Sequence, residues 1–120
     1  MPSTIVFEPF DIILVPFPFT DQSTIKKRPA LIISSEQYHQ QRPDLIIQAI
    51  TSNIPRSDFG ETPIRHWQAA GLLKPSVAKP VITTIETSIV LLKLGHLAEN
   101  DQEAARQNLE KILMIEQPEP

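Results

Sequence analysis

Proline recurs along most of this chain and sets the main limit on its fold. The 120 residues include twelve prolines and three glycines. A proline inside a helix costs about 3 kcal/mol, so a chain interrupted this often cannot form long helices before residue 81. Short strands joined by turns are favoured instead. The interrupting prolines are Pro16, Pro18, Pro29, Pro43, Pro55, Pro63, Pro75 and Pro80.

Apolar runs between the prolines predict the strands. Residues 12–17 form a continuous apolar run, which indicates a strand buried on both faces. Polar stretches at 20–27 and 53–63 are predicted to be loops, and 36–43 a connection or short helix. The further predicted strands are 29–34, 44–51 and 81–84, with 88–92 as another strand or a continuation of 81–84.

One clear helix is predicted near the end of the chain, over residues 100–114. Asn100 is a suitable N-cap, and Glu103 follows three residues later as in a capping box. With five to seven short strands and one helix, the predicted fold is mainly β, a small antiparallel barrel or half-barrel with a C-terminal helix. We expect one domain over residues 1–120, with flexible ends at 1–9 and 115–120.

Composition excludes several functional classes. The chain has no cysteine, so disulfide frameworks and thiolate zinc sites are excluded, and its three histidines lack ligand spacing. We therefore expect neither a metal nor a cofactor. Without a signal-peptide pattern or an apolar run of about 20 residues, we expect a soluble, cytoplasmic protein with no membrane partner.

Net charge gives an ambiguous indication about nucleic acid. The total of −3 argues against a nucleic-acid partner, since such proteins usually carry a basic surface. Acidic residues are, however, concentrated in 99–120, and the first 98 residues are close to neutral. A local basic site therefore stays possible.

The most prominent basic cluster is Lys26-Lys27-Arg28, directly before the second predicted strand. Since Arg28 precedes Pro29, its backbone is biased towards an extended conformation that would project the guanidinium from the mouth of a barrel. A guanidinium there can bind a phosphate through two hydrogen bonds. The alternative is a solvated basic loop.

Polar side chains follow the third predicted strand. Thr51, Ser52 and Asn53 would lie near Arg28 if both strand ends line one mouth, and they could donate hydrogen bonds to phosphate oxygens. The alternative is a simple turn. His66-Trp67 could stack on a base, or Trp67 could pack in the core.

The same segments resemble a known family, the MazF/PemK toxins. Residues 11–21 (DIILVPFPFTD) and 27–34 (KRPALIIS) resemble the family's first strand, variable loop and Arg-Pro-Ala second strand. Residues 44–52 (DLIIQAITS) are similar to its third strand, and 70–77 and 92–97 to later blocks. The resemblance covers about residues 10–114.

This resemblance implies an SH3-like barrel of five to seven strands that forms a homodimer. It implies metal-independent, sequence-selective cleavage of single-stranded RNA, with 2′,3′-cyclic phosphate and 5′-hydroxyl ends, and a cognate antitoxin that occupies the RNA groove. By the same resemblance Arg28 and Thr51 are the expected catalytic residues. Lys26, Lys27, Ser52 and Asn53 are expected to bind RNA.

Two departures from the family pattern carry expectations of their own. Members usually begin with Gly-Asp, whereas this chain has Phe10-Asp11, so the entry to the first strand is expected to differ. Where some members supply an Arg-x-Asp pair, residues 76–79 (SVAK) contain no carboxylate. The alternatives are a non-catalytic CcdB-like toxin, which would act on gyrase through its C-terminal residues, and a nucleic-acid-binding barrel without catalysis.

Overall fold

The computed structural model describes residues 6–17, 26–53 and 58–115. The predicted flexible ends fall largely on residues 1–5 and 116–120, outside this part of the chain. The elements in chain order are β1 (Asp11–Phe17), β2 (Lys26–Ile32), α1 (Glu36–Gln41), β3 (Asp44–Thr51), β4 (Thr62–Ile64), β5 (Ser76–Glu86), β6 (Leu92–His96) and α2 (Glu99–Ile112), with a single 3-10 turn (Thr87–Ile89) before β6.

The six strands form one antiparallel sheet in the order β4-β5-β3-β2-β1-β6. Strands β4 and β6 are the two edges, and α2 packs against β4. The predicted fold class, a mainly β antiparallel half-barrel with a C-terminal helix, is confirmed. In the described residues, no helix combines the length and the apolar character needed to cross a membrane.

Strand β1 is buried on both faces, as its unbroken apolar run predicts. Ile12 and Ile13 point to opposite faces of the sheet and both have no exposed surface. Ile12 packs in a helix-side cluster with Leu31, Ile50, Ile64, Ala70, Leu72, Ala78, Leu97 and Ala105. Ile13 packs in a far-side cluster with Val15, Ala30, Ile32, Leu45, Ile47 and Ala49.

The helix-side cluster is covered by α2 and by the segment before β5. Asp101, in the first turn of α2, is buried, and its carboxylate accepts hydrogen bonds from the backbone N–H groups of Arg65 (3.0 Å) and His66 (2.9 Å). The Asn108 side chain donates to the hydroxyl of Thr62 at 2.8 Å. These polar contacts fix the helix, the turn at 65–66 and β4 relative to one another.

Strand β5 is longer than predicted because a proline is accommodated within it. It runs for 11 residues through Pro80, where the sequence suggested a break. The ladder between β3 and β5 shifts register between Gln48 and Ile50, opposite Pro80. A bulge is a position where a strand tolerates a residue without an N–H group.

The start of α2 differs from the predicted cap. The helix begins at Glu99 after Ala98, whose side chain makes no capping bond, so Asn100 is not the N-cap. The backbone N–H of Gln102 already donates to the carbonyl of Ala98 at 2.8 Å. This helical bond extends the first turn beyond Asn100 towards the N-terminus.

Phe10 occupies a backbone conformation that favours glycine. Its φ is 69°, in the left-handed region, at the position where the family pattern has glycine. A non-glycine residue in this region costs about 1–3 kcal/mol. Packing offsets this cost, because the ring lies against the helix-side cluster and the Arg106 guanidinium stacks over it, 5.3 Å from its centroid.

Two substitutions separate the strain at Phe10 from its packing. Phe10→Ala keeps the unfavourable φ and removes the ring, so we expect a loss of about 2–3 kcal/mol in the free energy of unfolding. Phe10→Gly removes the ring and also relieves the backbone, so we expect it to be about 1 kcal/mol more stable than Phe10→Ala. Urea unfolding measures both variants. A glycine variant less stable than the alanine variant would contradict the assignment of strain.

Candidate functional site

A groove of about 490 Å³ lies at the end of the helix-side cluster. Its volume is within the range of about 300–1,000 Å³ that is typical of ligand sites. Ile50 and Leu72 belong both to the helix-side cluster and to the groove, so its floor is the end of the core. The complete lining is Leu14, Lys26, Lys27, Arg28, Pro29, Ile50, Thr51, Ser52, Gly71, Leu72, Leu73, Lys74, Ser76 and Leu94.

One wall of the groove brings together most of the residues singled out from the sequence. It consists of the start of β2 and the end of β3, which are neighbouring antiparallel strands. Because antiparallel neighbours place the start of one strand beside the end of the other, these residues share one edge of the sheet. The residues brought together are Lys26, Lys27, Arg28, Thr51 and Ser52. Asn53 is exposed and is not among the lining residues.

The basic cluster is part of a strand rather than of a loop before it. Lys26 pairs with Phe17 and Lys27 with Pro16 in the β1–β2 ladder, so β2 begins three residues before Pro29. The expectation that residues up to Lys27 form a polar loop is therefore wrong at this end. Polarity indicated a loop, but antiparallel pairing with β1 holds this exposed end in the sheet. A strand orients Arg28 more firmly than a loop would.

The hydroxyl of Thr51 has a defined hydrogen-bond role. Its oxygen accepts the backbone N–H of Asn53 at 3.1 Å. The hydroxyl proton is therefore the group that Thr51 can offer to a bound ligand. Arg28 lines the same groove, and a guanidinium and a hydroxyl can both donate hydrogen bonds to an anion.

The opposite wall consists of residues 71–76 and was not assigned a function from the sequence. Here the backbone carbonyl of Lys74 accepts a hydrogen bond from the Ser76 hydroxyl at 2.8 Å. Leu72 is buried in the helix-side cluster, whereas Leu73 is 92% exposed. The sequence offered the resemblance of residues 70–77 to a later family block and the pair of leucines between a glycine and Lys-Pro. Neither shows what the segment faces.

Two glycines allow this wall to lie directly on β6. Gly71 has a φ of +87°, and a Cβ there would lie 2.1 Å from the backbone oxygen of Leu94. A Cβ at Gly95 would lie 2.2 Å from the backbone oxygen of Ala70. Any side chain at either position would push the two segments apart, so the groove depends on contact between bare backbones.

The charge lining the groove is positive. Among the lining residues that the structure describes, the ionisable groups are Lys26, Lys27, Arg28 and Lys74, with no carboxylate and no histidine. The sequence has no carboxylate at 76–79, and the described lining residues of the groove include none either. Such an arrangement attracts anions, and several lysines spaced along a groove suit a polyanion better than a single phosphate.

A second ionisable cluster surrounds Asp11. Glu8, Asp11 and His96 offer ligand atoms within 4.8 Å of one another, a grouping that the sequence did not reveal. The buried Asp11 carboxylate already accepts from His96 Nδ1 (2.8 Å), Lys93 Nζ (3.1 Å) and the backbone N–H of Glu8 (2.8 Å). Because the Lys93 ammonium already compensates this charge, the cluster ties β1 to β6 and gives no reason to place a metal there.

A smaller concavity of about 310 Å³ lies beside α1 and contains Arg42 and Asp44. These two side chains pair through two hydrogen bonds of 3.3 and 3.2 Å. Hydrogen bonds from Tyr38 and Arg42 hold the pKa of Asp44 below its ordinary value. The charges here satisfy each other, which makes this concavity a weaker candidate than the groove.

Trp67 packs against the helix-side cluster, and neither it nor the exposed His66 lines the groove. Of the two alternatives for this pair, the structure favours packing of Trp67 in the core. The groove between β2, β3 and the 71–76 wall is therefore the candidate site.

The sequence profile of the family described as PemK-like, MazF-like toxin of type II toxin-antitoxin system matches residues 8–113. The chain belongs to this family. The matched range includes both walls of the groove and all of α2. No curated protein matches the chain significantly in sequence.

Solved structures of MazF proteins share the fold. The Mycobacterium tuberculosis toxin MazF-mt6 is 21% identical, with a TM-score of 0.73 over 89% of this chain and 99% of that one. A mycobacterial endoribonuclease in complex with its cognate antitoxin is 15% identical, with a TM-score of 0.75 over 94% and 100%. MazF from Deinococcus radiodurans is 17% identical, with a TM-score of 0.73 over 93% and 100%.

The contact between Gly71 and β6 can be tested with a matched glycine. Gly60 has a similar φ of +88°, but a Cβ there would meet the Ile112 side chain at 3.1 Å rather than backbone. We expect Gly71→Ala to lower the free energy of unfolding by more than about 3 kcal/mol and Gly60→Ala by about 1 kcal/mol. Thermal or urea unfolding measures both. Equal losses would show that φ strain alone, and not backbone overlap, governs Gly71.

Proposed function

We propose that this protein is the toxin of a type II toxin–antitoxin system and acts as a metal-independent endoribonuclease on single-stranded RNA. The observation that carries the proposal is the single groove that unites Arg28 and Thr51, the two residues expected to be catalytic, with flanking lysines. Family membership over residues 8–113 supports the toxin assignment. The shared fold of a mycobacterial endoribonuclease supports the activity.

The reaction requires charge stabilisation more than a strong nucleophile from the protein. The ribose 2′-hydroxyl attacks the adjacent phosphorus and the bond to the 5′-oxygen breaks. The products are a 2′,3′-cyclic phosphate and a 5′-hydroxyl, and one proton passes overall from the 2′-oxygen to the 5′-oxygen. Negative charge builds on the phosphorane, and the strand-held Arg28 guanidinium is suited to stabilise it.

The remaining polar groups position the substrate. Thr51 directs its hydroxyl proton to a nonbridging phosphate oxygen, since its oxygen already accepts the Asn53 N–H. Ser52 assists on the same wall, and Lys26 and Lys27 hold neighbouring phosphates. Asn53 then contributes through its backbone, by orienting Thr51, instead of by direct contact with RNA.

The proposed partners follow from the same groove. An antitoxin segment that fills the groove would prevent RNA binding and inhibit the enzyme. The solved complexes of relatives with an antitoxin support this proposal. We further propose a homodimer, in which two such grooves would serve one RNA chain. The protein is expected to act in the cytoplasm, where RNA is available.

The cationic groove favours this function over the two alternatives. A CcdB-like toxin would act through its C-terminal residues, and residues 116–120 lie outside the described part of the chain. A barrel that only binds nucleic acid would need the lysines. It would not need Arg28 and Thr51 at adjoining strand ends. Neither alternative is supported by a specific feature of the described residues.

Replacing Arg28 is expected to abolish cleavage. Purified Arg28→Ala protein should cut a long single-stranded RNA at least about 100-fold more slowly than the unmodified protein, because the phosphorane loses its main cation. The assay is run in EDTA, and the ends are mapped by 5′ phosphorylation. Arg42→Ala is the matched control, since Arg42 is exposed and lies outside the groove. Undiminished cleavage by a folded Arg28→Ala variant would exclude the assigned role.

Replacing Thr51 distinguishes a hydroxyl effect from a packing effect. Thr51→Val keeps the shape and removes the hydroxyl, so we expect kcat to fall by about 10-fold to 100-fold, as one stabilising hydrogen bond is lost. Thr51→Ser keeps the hydroxyl and should retain most of the activity. Single-turnover cleavage of one mapped site measures both rates. Equal rates for the valine and serine variants would show that the hydroxyl has no role.

A further inference from the structure

We propose that Leu73 and Lys74 on the 71–76 wall form the element that selects the RNA sequence. Leu73 lies against the face of one unstacked base, and Lys74 binds the phosphate beside it. This inference rests on the proposed function, because it assigns a substrate contact in the same groove. It gives the wall opposite Arg28 a role that the sequence did not assign.

The exposure of Leu73 is unusual for its setting. Its neighbour Leu72 is only 7% exposed and anchors the segment in the helix-side cluster, whereas Leu73 is 92% exposed and lines the groove. A single exposed leucine on an open surface would need no explanation. Here it stands beside lysines and an arginine in a concave site, where an apolar surface is available to a ligand.

The segment that presents Leu73 is held rigidly. The backbone N–H of Leu72 donates to the backbone carbonyl of Trp67 at 3.0 Å, and that of Gly71 donates to the carbonyl of Gln68 at 3.1 Å. The Ser76 hydroxyl closes the other side of the turn on the Lys74 carbonyl. The backbone of the turn is thus fixed on both sides of Leu73, so a ligand would not have to order the segment when it binds.

The chemistry of single-stranded RNA matches this pair of residues. Unstacked bases offer flat apolar faces, and leucine is among the side chains that proteins insert against or between bases. In RNA each base is followed by a phosphate. Leu73 in contact with the base and Lys74, the next residue, in contact with the phosphate would therefore match one nucleotide. Contacts to phosphates position an RNA, and contacts to bases specify it.

The position of this wall also suggests what it determines. Arg28 and Thr51 hold the scissile phosphate on one wall, and Leu73 meets a base from the other. A base held there fixes which phosphate reaches Arg28. Leu73 is therefore a specificity-determining residue, and Lys74 contributes affinity that depends on salt.

The test uses the full-length protein with Leu73→Ala, Leu73→Phe and Lys74→Ala variants. Cut sites are mapped on one long RNA, and kcat/KM is measured on an oligonucleotide containing the preferred site. We expect Leu73→Ala to lower kcat/KM by about 5-fold to 10-fold and to relax the preference at one nucleotide position, with activity restored by the larger apolar Leu73→Phe. Met114→Ala, at a residue 89% exposed outside the groove, is the control and should keep the unmodified cut sites.

Binding is measured separately, by fluorescence anisotropy with the same oligonucleotide carrying a 2′-deoxy sugar at the cleaved position. Lys74→Ala should reduce the slope of log affinity against log salt by about 0.7, the value for one phosphate on a single strand. Lys111→Ala, an exposed lysine outside the groove, should not change it.

The outcomes separate this inference from the proposed function. In one outcome, cleavage depends on Arg28 while all Leu73 and Lys74 variants keep the unmodified cut sites and rates. That result would overturn this inference and leave the proposed function standing. If long RNA stays intact, binding is measured with four unmodified oligoribonucleotides, one for each base. Base-selective binding lost in Leu73→Ala would then support the inference and overturn the nuclease. Absence of both cleavage and binding would overturn both.

Discussion

Burial of β1 on both faces is the constraint on which the rest of the structure depends. Ile12 and Ile13 are fully buried on opposite sides of the sheet, so both faces of the central strands must be covered. Only short segments are available to do this, because prolines exclude long helices before residue 81. Residues 65–72 and α2 therefore cover the helix-side face, and the groove opens where this cover ends.

Two buried carboxylates hold the segments around the groove in place, and neither is among its lining residues. Asp101 joins α2 to the backbone at Arg65 and His66, and Asp11 joins β1 to Lys93 and His96 of β6. Each connects segments that are far apart in the sequence. The 71–76 wall lies on β6, so both sides of the groove are anchored to the sheet, as the proposed stabilisation of charge requires.

The distribution of charge shows how a chain with a net charge of −3 can still carry a cationic groove. The total of −3 arises largely from the C-terminal part of the chain, whereas the described lining of the groove carries three lysines and an arginine without a carboxylate. Association with a polyanion depends on the local field in the groove more than on the total.

The sequence by itself determined the mainly β fold, the buried β1, the bounds of β3 and the cluster around Arg28 and Thr51, because each depends on local periodicity or on neighbouring strands. Tertiary structure alone decided that β2 starts at Lys26, that Phe10 takes a positive φ, and that Leu73 and Lys74 face the groove. These features arise from pairing and packing between residues distant in sequence, which no local pattern encodes.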